Sequence, residues 1–451
     1  MSDPPLSSQG GSGRDGYPSP VYSWYVIFIL YLAYTLSFVD RTILVFLVDP
    51  IRHDLQITDF QYSLIQGAAF SIFYGVLGIP IGLLADRRSR RAIAGIGIGL
   101  WSLMTGLCGL TGTFWQLFSA RIGVGVGEAA LSPSAISIIS DYFPPEKRGL
   151  PINVFSAGVQ TGAGLANIFG GFVAAYTATA GATTIALLGT LRPWQLSFVI
   201  VALPGLLVVL LMLTVREPVR RERLSQTRHA TALEAFLHAV KYLSEHWVVY
   251  VTLMVGASFT AMAAYGTFSW APTMFRRVYG WNMARIGLDI GIITIVLGTG
   301  GLALSGALAG VLIKRGHKAV YSKLMIAAAV VAILPGALLV VGHNPYWSMA
   351  CFAILVLCLS APVGLVQAAL QSVTPNEMRG QVIAIYMLVV TVLGNTVGAS
   401  AVAGFTDYVF HNDAAVGHSI SIVAPIACVL AAIVLAVGIP AYNRRATLSS
   451  A

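Results

Sequence analysis

Apolar runs of about 20 residues recur from one end of this 451-residue chain to the other. A helix rises about 1.5 Å per residue, so roughly 20 apolar residues cover the hydrocarbon of a bilayer. In that medium the backbone has no water to bond, which restricts a spanning segment to a helix or a closed barrel. Twelve runs fall near 22–47, 60–85, 92–111, 115–141, 150–176, 194–214, 247–275, 283–312, 320–342, 347–372, 380–404 and 416–440. The expected fold class is an all-α polytopic membrane protein of twelve transmembrane helices. Composition agrees, because only 10% of residues are charged, where a soluble domain carries about 25%. The longest polar break, Arg216 to Trp247, divides six helices from six. The expected organisation is a disordered tail over 1–21, a first half over 22–214, a linker over 215–246, a second half over 247–441 and a tail over 442–451.

A net charge of +9 raises the question of a polyanionic partner. The basic clusters are Arg87, Arg88, Arg90 and Arg91; Arg216, Arg220, Arg221 and Arg223; and Lys314, Arg315 and Lys318. With twelve crossings all fall on one side, as the positive-inside rule requires. The basicity is topological: no nucleic acid partner is expected, both termini are expected to be cytoplasmic, and the cell (inner) membrane is the expected location. Cys108, Cys351, Cys358 and Cys428 are scattered in apolar runs with no metal or disulfide spacing. No nucleotide loop, GxSxG or His/Glu metal pattern is present, so neither catalysis nor a metal is expected. "GIGIGLWSL" (95–103) echoes a dinucleotide fingerprint, but no strand precedes it.

Two loop motifs occur twice. "PPEKRG" at 144–149 returns as "PNEMRG" at 375–380, an offset of 231, and "GLLADRRSRR" at 82–91 as "GALAGVLIKR" at 306–315, an offset of 224. Parallel repeats of this kind place a cargo site near the midplane between two halves. In the first copy Gly82 allows helices to approach. Asp86 sits where it can pair with an arginine or cap a helix, and Arg90 supplies fixed charge.

"GLLADRRSRR" resembles the signature loop of the major facilitator superfamily, whose fold is two six-helix halves. The resemblance implies a conformational latch carried by Gly82, Asp86 and Arg90 in the first half, since the second has Gly310 where the first has Asp86. "FVDRTIL", "DLQITDFQYSLIQGAAFSIFYGVLGIPIGLLADRRSRR" and "RIGVGVGEAALSPSAISIISDYFPPEKRG" are together similar to the Spinster family. That resemblance implies alternating-access transport of a lysolipid, sphingolipid-like or other amphipathic anionic cargo, exchanged against protons. The alternatives are a proton-driven symporter of small organic anions and a multidrug exporter. In "GVQTGAGLANIFGG" (158–171), Ala166 and Asn167 stand where drug:proton antiporters place Gly-Pro, which counts against the exporter.

Charges inside spans are expensive and mark function. They are Asp40 and Arg41 in span one, Arg121 and Glu128 in span four, and Asp289 at the outer start of span eight. Arg121 and Glu128 stand seven residues apart and share a helix face. Asp40 and Arg121 lie at similar depth, about 10 Å in, with Glu128 roughly 10 Å deeper. Depth alone predicts an Asp40–Arg121 or Asp40–Arg41 pair and a more isolated Glu128. Asp40 and Glu128 are therefore the expected proton-coupling acids, and Arg41 and Arg121 the charge network, with Arg41 the anchor for an anionic cargo. Gln160, Asn167, Tyr265, Ser269, Gln367 and Asn395 are candidate cavity-lining residues. A monomer among membrane lipids, driven by the proton gradient without a cofactor, completes the expectation.

Overall fold

The computed structural model describes residues 17–186, 188–220, 240–375 and 378–448. The tail expected to be disordered (most of 1–21), most of the 215–246 linker and residues 376–377 of the second loop motif lie outside them. Among the described residues, twelve long helical segments follow one another. They are Pro20–Phe46 (span one), 59–87 (two), Arg90–Cys108 (three) and Phe114–Tyr142 (four). Gly149–Ala180 (five), Pro193–Thr214 (six), Trp247–Tyr279 (seven) and Met283–Lys314 (eight) follow. Val320–Ala337 (nine), Pro345–Val373 (ten), Arg379–Phe410 (eleven) and Val416–Leu448 (twelve) complete the set. Ten helices are long and apolar enough to cross a membrane, and spans two and five make up the twelve. Span twelve continues to Leu448, past the boundary expected at 441. Polar caps start several spans: Thr58 and Gln61 form a capping box before span two, and Ser89 and Thr113 cap spans three and four.

The duplication seen in the loop motifs extends into the backbone. Arg148 Nε donates to the Phe143 carbonyl and Arg379 Nε to that of Thr374, and both pairs are 231 residues apart. Span four is interrupted between Glu128 and Leu131, span ten between Ser360 and Pro362. Leu64–Ala68 in span two and Thr294–Gly298 in span eight, 230 apart, are both π-helical. Each half is also stapled at its own ends. The Tyr22 hydroxyl donates to the Thr214 carbonyl and accepts from the Arg216 amide, with the Arg216 guanidinium over the Tyr22 ring. In the second half Arg445 bonds the Tyr242 hydroxyl and lies over its ring.

Three apolar cores set the overall shape. Near the termini the first half has its own core around Ile98, Trp101, Ile138 and Met212. The second half has another around Tyr250, Met325, Leu370 and Leu435. At the end away from the termini a single core runs through both, from Phe46 and Trp194 to Trp270 and Phe352. Apolar burial of about 25 cal/mol per Å² thus joins the halves at that far end.

Candidate transport site

Span one carries Arg41 and span four Glu128, and the fold brings them together. Arg41 Nε and Nη2 converge on Glu128 Oε2, each at 2.5 Å. The Arg41 side chain is 26% exposed and that of Glu128 1%, so the cation faces the space between the halves and the acid stands behind it. The guanidinium lies 4.5 Å from the Phe70 ring centre, 4.9 Å from Tyr74 and 5.2 Å from Phe38. Such contacts add electrostatic attraction when water is excluded.

This overturns the pairing inferred from depth. Glu128 is the acid that is paired, and Asp40 the one that is not. Arg121 Nη1 donates to the Asp40 backbone carbonyl at 3.2 Å rather than to its carboxylate, and Asp40 Oδ1 has no hydrogen-bond partner. The physical reason is side-chain direction. A helical side chain leans toward the N-terminus of its own helix. Arg41 therefore reaches from its shallow position down to Glu128. Arg121, on an antiparallel helix, leans the other way and away from Glu128.

Of the other expected lining residues, Tyr265 is exposed and within electrostatic reach of Arg41 and Tyr74. Gln160 sits against Gly298 of span eight. Asn167 turns back on its own helix, Nδ2 donating to the Ala163 carbonyl at 2.8 Å. Asn395 crosses to the first half and donates to Ser71 Oγ at 2.7 Å. Ser269 is buried and Gln367 half-buried. Asp289 makes an i,i+4 ion pair with Arg285. Tyr34, which lies near Arg41, Tyr74 and Tyr265, escaped the sequence reading because an aromatic in an apolar helix looks like packing.

Sequence reasoning also missed a charged clamp at the far end. Arg277 of span seven makes a two-pronged contact with Asp59, at 2.6 and 2.9 Å, and reaches Asp49 at 2.7 Å. In return Arg52 of the first half holds both oxygens of Asp413 at 2.9 and 3.2 Å, and the Phe60 amide donates to Asp407. Asp59 is fully buried, and removing one partner of a buried hydrogen-bonded ion pair costs about 2–5 kcal/mol. Arg277→Ala is expected to lengthen spin-label distances between the two halves at this end. Arg277→Lys keeps the charge between Asp49 and Asp59 but loses the two-pronged contact, and is expected to lengthen them less. Distances that stay at the parent value in the alanine variant would show that other contacts close this end.

The loop carrying the expected latch is tied to its own half. Arg90 is 2% exposed and bonds Asp141, Ser137 and the Pro218 carbonyl. It also meets Glu217 at 3.0 Å. Burial opposes the Glu217 charge, yet bonds from Ser89, the Arg91 amide and Arg90 outweigh it and hold this carboxyl below its ordinary range. A Cβ at Gly82 would meet only Pro133, at 3.8 Å, so no close approach is made there in this conformation. Asp86 lies in the last turn of span two, and its side chain is outside the described residues.

Comparison with known proteins agrees with this architecture. Residues 30–399 match the Major Facilitator Superfamily. The chain is 28% identical over 299 residues to an MFS-type efflux pump of Mycolicibacterium smegmatis, covering 66% of this chain and 64% of that protein. It is 26% identical over 299 residues to the Drosophila melanogaster protein spinster, covering 65% and 46%. The matched region thus spans less than two thirds of these relatives. Among solved structures, a bacterial homologue of the human lysosomal transporter Spinster, inward-facing and unoccupied, superposes with a TM-score of 0.77. It is 26% identical, over 95% of this chain and 98% of that one. The chain therefore belongs to the Major Facilitator Superfamily and is similar to Spinster proteins within it.

Proposed function

We propose that this chain is a proton-coupled secondary active transporter for an amphipathic anion of the lysolipid or sphingolipid type. The reading rests on the Arg41–Glu128 contact. A cavity-facing guanidinium is held by a buried acid and flanked by Phe38, Phe70 and Tyr74. An anionic headgroup and Glu128 compete for one cation, and the rings suit the apolar part of the cargo. Protonating Glu128 releases Arg41, so a proton and a cargo anion favour each other's binding, which couples them in the same direction rather than in the exchange against protons that the resemblance implied. A ligand shifts a conformational balance only by its different affinity for the two states, and here each ligand changes the same ion pair. Asp40, buried beside Arg121, is the second proton site of this reading.

The termini lie on the cytoplasmic side of the inner membrane, so the joined far end faces outward and the molecule is open inward. It works as a monomer and needs no cofactor besides the proton gradient. Similarity to a hexuronate transporter of Bacillus subtilis, 28% identical over 182 residues, supports a second reading, a symporter of small organic anions, for which Arg41 would hold a carboxylate.

Counterflow in proteoliposomes with an imposed pH gradient tests both. Labelled lysophospholipid is expected to move at a rate that follows the gradient. Movement of labelled hexuronate alone would favour the second reading, and flux of either indifferent to the gradient would remove proton coupling.

A further inference from the structure

Spans two and eleven meet across the two halves along a line of paired positions. From the far end inward, the Phe60 amide donates to Asp407 and Ser63 Oγ to Ser400 Oγ at 2.9 Å. A Cβ on Gly67 would lie 3.1 Å from Thr396 Cα, and Asn395 Nδ2 donates to Ser71 Oγ at 2.7 Å. Among the described residues, Asn395–Ser71 is the deepest hydrogen bond between these spans, and Ser71 is fully buried. The backbone is unusual here, because the π-helical Thr391–Val397 faces the π-helical Leu64–Ala68. Such segments are rare and often functional. The other seam is built differently. Gly164 of span five stands 231 residues before Asn395, and a Cβ on it would fall 2.8 Å from the Gly291 carbonyl of span eight. Backbone meets backbone there, where span eleven offers an amide.

Ser71 follows Phe70, whose ring centre lies 4.5 Å from the Arg41 guanidinium. The Phe70 carbonyl is wedged against span four: a Cβ on Gly125, one turn before Glu128, would fall 2.6 Å from it. Residues 70 and 71 are thus pressed between the helix that carries Glu128 and the amide of Asn395. On its opposite side the Asn395 segment rests on span seven, where a Cβ on Gly394 would lie 2.7 Å from Ala261 Cβ and 3.5 Å from the Tyr265 ring. Contacts therefore run unbroken from Arg41 through Phe70 and Ser71 to Asn395 and span seven. Close-packed groups transmit a shift rather than absorb it.

We propose that the Asn395–Ser71 hydrogen bond is the contact through which the second half reads whether Glu128 holds Arg41. This deepens, and rests on, the reading of that ion pair as the switch. With Arg41 on Glu128 the bond is closed, as the structure has it. Release of Arg41 unloads the Phe70 ring, span two shifts at the neighbouring residue, and the bond weakens, which favours separation of spans two and eleven. Asn395 is a positioning residue: it acts through Ser71 and Phe70, one helix away from the charged pair.

The experiment is a double-mutant cycle on the full-length protein in lipid. Spin-label distances across the far end give the ratio of closed to open populations. One arm is Glu128→Gln, which loosens the hold on Arg41 with no cargo present. The other is Ser71→Ala or Asn395→Leu, either of which removes the bond. A neutral hydrogen bond contributes about 0.5–1.5 kcal/mol net, equivalent to about a 2- to 12-fold change in such a ratio. Glu128→Gln should therefore change the ratio about 2- to 12-fold less in either bond variant than in the parent. Combining Ser71→Ala with Asn395→Leu should act like one of them alone. Gly171→Ala, which disturbs the other seam, should leave the Glu128→Gln effect at its parent size. Strict additivity between Glu128→Gln and the bond variants overturns the proposal. Equal coupling in Gly171→Ala also overturns it, because any disturbance of the closed end would then do the same. A parent ratio that Glu128→Gln does not change overturns the reading of Arg41 and Glu128 as the switch, and the proposal with it.

Discussion

Arg41→Ala is expected to lower binding of an anionic cargo at least about 30-fold and to reduce stability. The variant removes the anchor and leaves Glu128 buried with no cation on Oε2. Truncating one member of such a pair costs about 2–5 kcal/mol, and every 1.4 kcal/mol is about tenfold in affinity. Arg41→Lys keeps a charge but loses the planar fork that bonds Glu128 and lies over Phe70 and Tyr74, so it should fall between the two. Glu128→Gln gives the sign of the coupling. In the parent the ionised acid occupies Arg41, so anion affinity should fall as pH rises. With glutamine in place that dependence should flatten. Tracer binding against pH in the three variants is the measurement. Parent affinity indifferent to pH, together with undiminished binding by Arg41→Ala, would place the cargo elsewhere.

Gly171→Leu is expected to hold the far end open and to stop transport. Spans five and eight touch there through backbone. A Cβ on Gly171 would lie 2.5 Å from the Met283 carbonyl and 2.8 Å from the Gly287 Cα, and backbone cannot rotate aside as a side chain can. Overpacking of this kind costs about 1–3 kcal/mol or more, which can shift a two-state balance about 5- to 150-fold. The cost falls on the state in which the seam is closed, so the variant should populate the state in which spans five and eight have separated. Spin labels on the two halves at that end should report longer distances, and Gly171→Ala a smaller change. A leucine variant that keeps the parent's distances and flux would mean that the seam has slack which the backbone positions do not suggest.

The twelve helices were legible because apolar runs and basic loops follow directly from what a bilayer tolerates. The repeat was legible too, and the paired Arg148 and Arg379 bonds carry it to atomic detail. The inner charges were found as a set but wired wrongly. Counting residues along two helices gives depth, whereas the pairing depends on which way each side chain leans. The far-end clamp was beyond the same reasoning. Asp49, Arg52, Asp59, Arg277, Asp407 and Asp413 lie within a few residues of span ends, where isolated charges are ordinary. One sign was available: arginine and aspartate occur on both halves at that end, so each half can offer the other its opposite.

The Tyr22–Arg216 and Tyr242–Arg445 staples have a consequence for the covalent chain. The first fastens span one to the residues that leave span six, and the second fastens the residues that enter span seven to the last turn of span twelve, so each half is tied from its first helix to its last. The two ends of the peptide between them, Arg216 to Pro218 and Tyr242, belong to these closures, each to its own half. In assembly terms each half behaves as a subunit closed on itself, and the two meet through the apolar core they share at the far end.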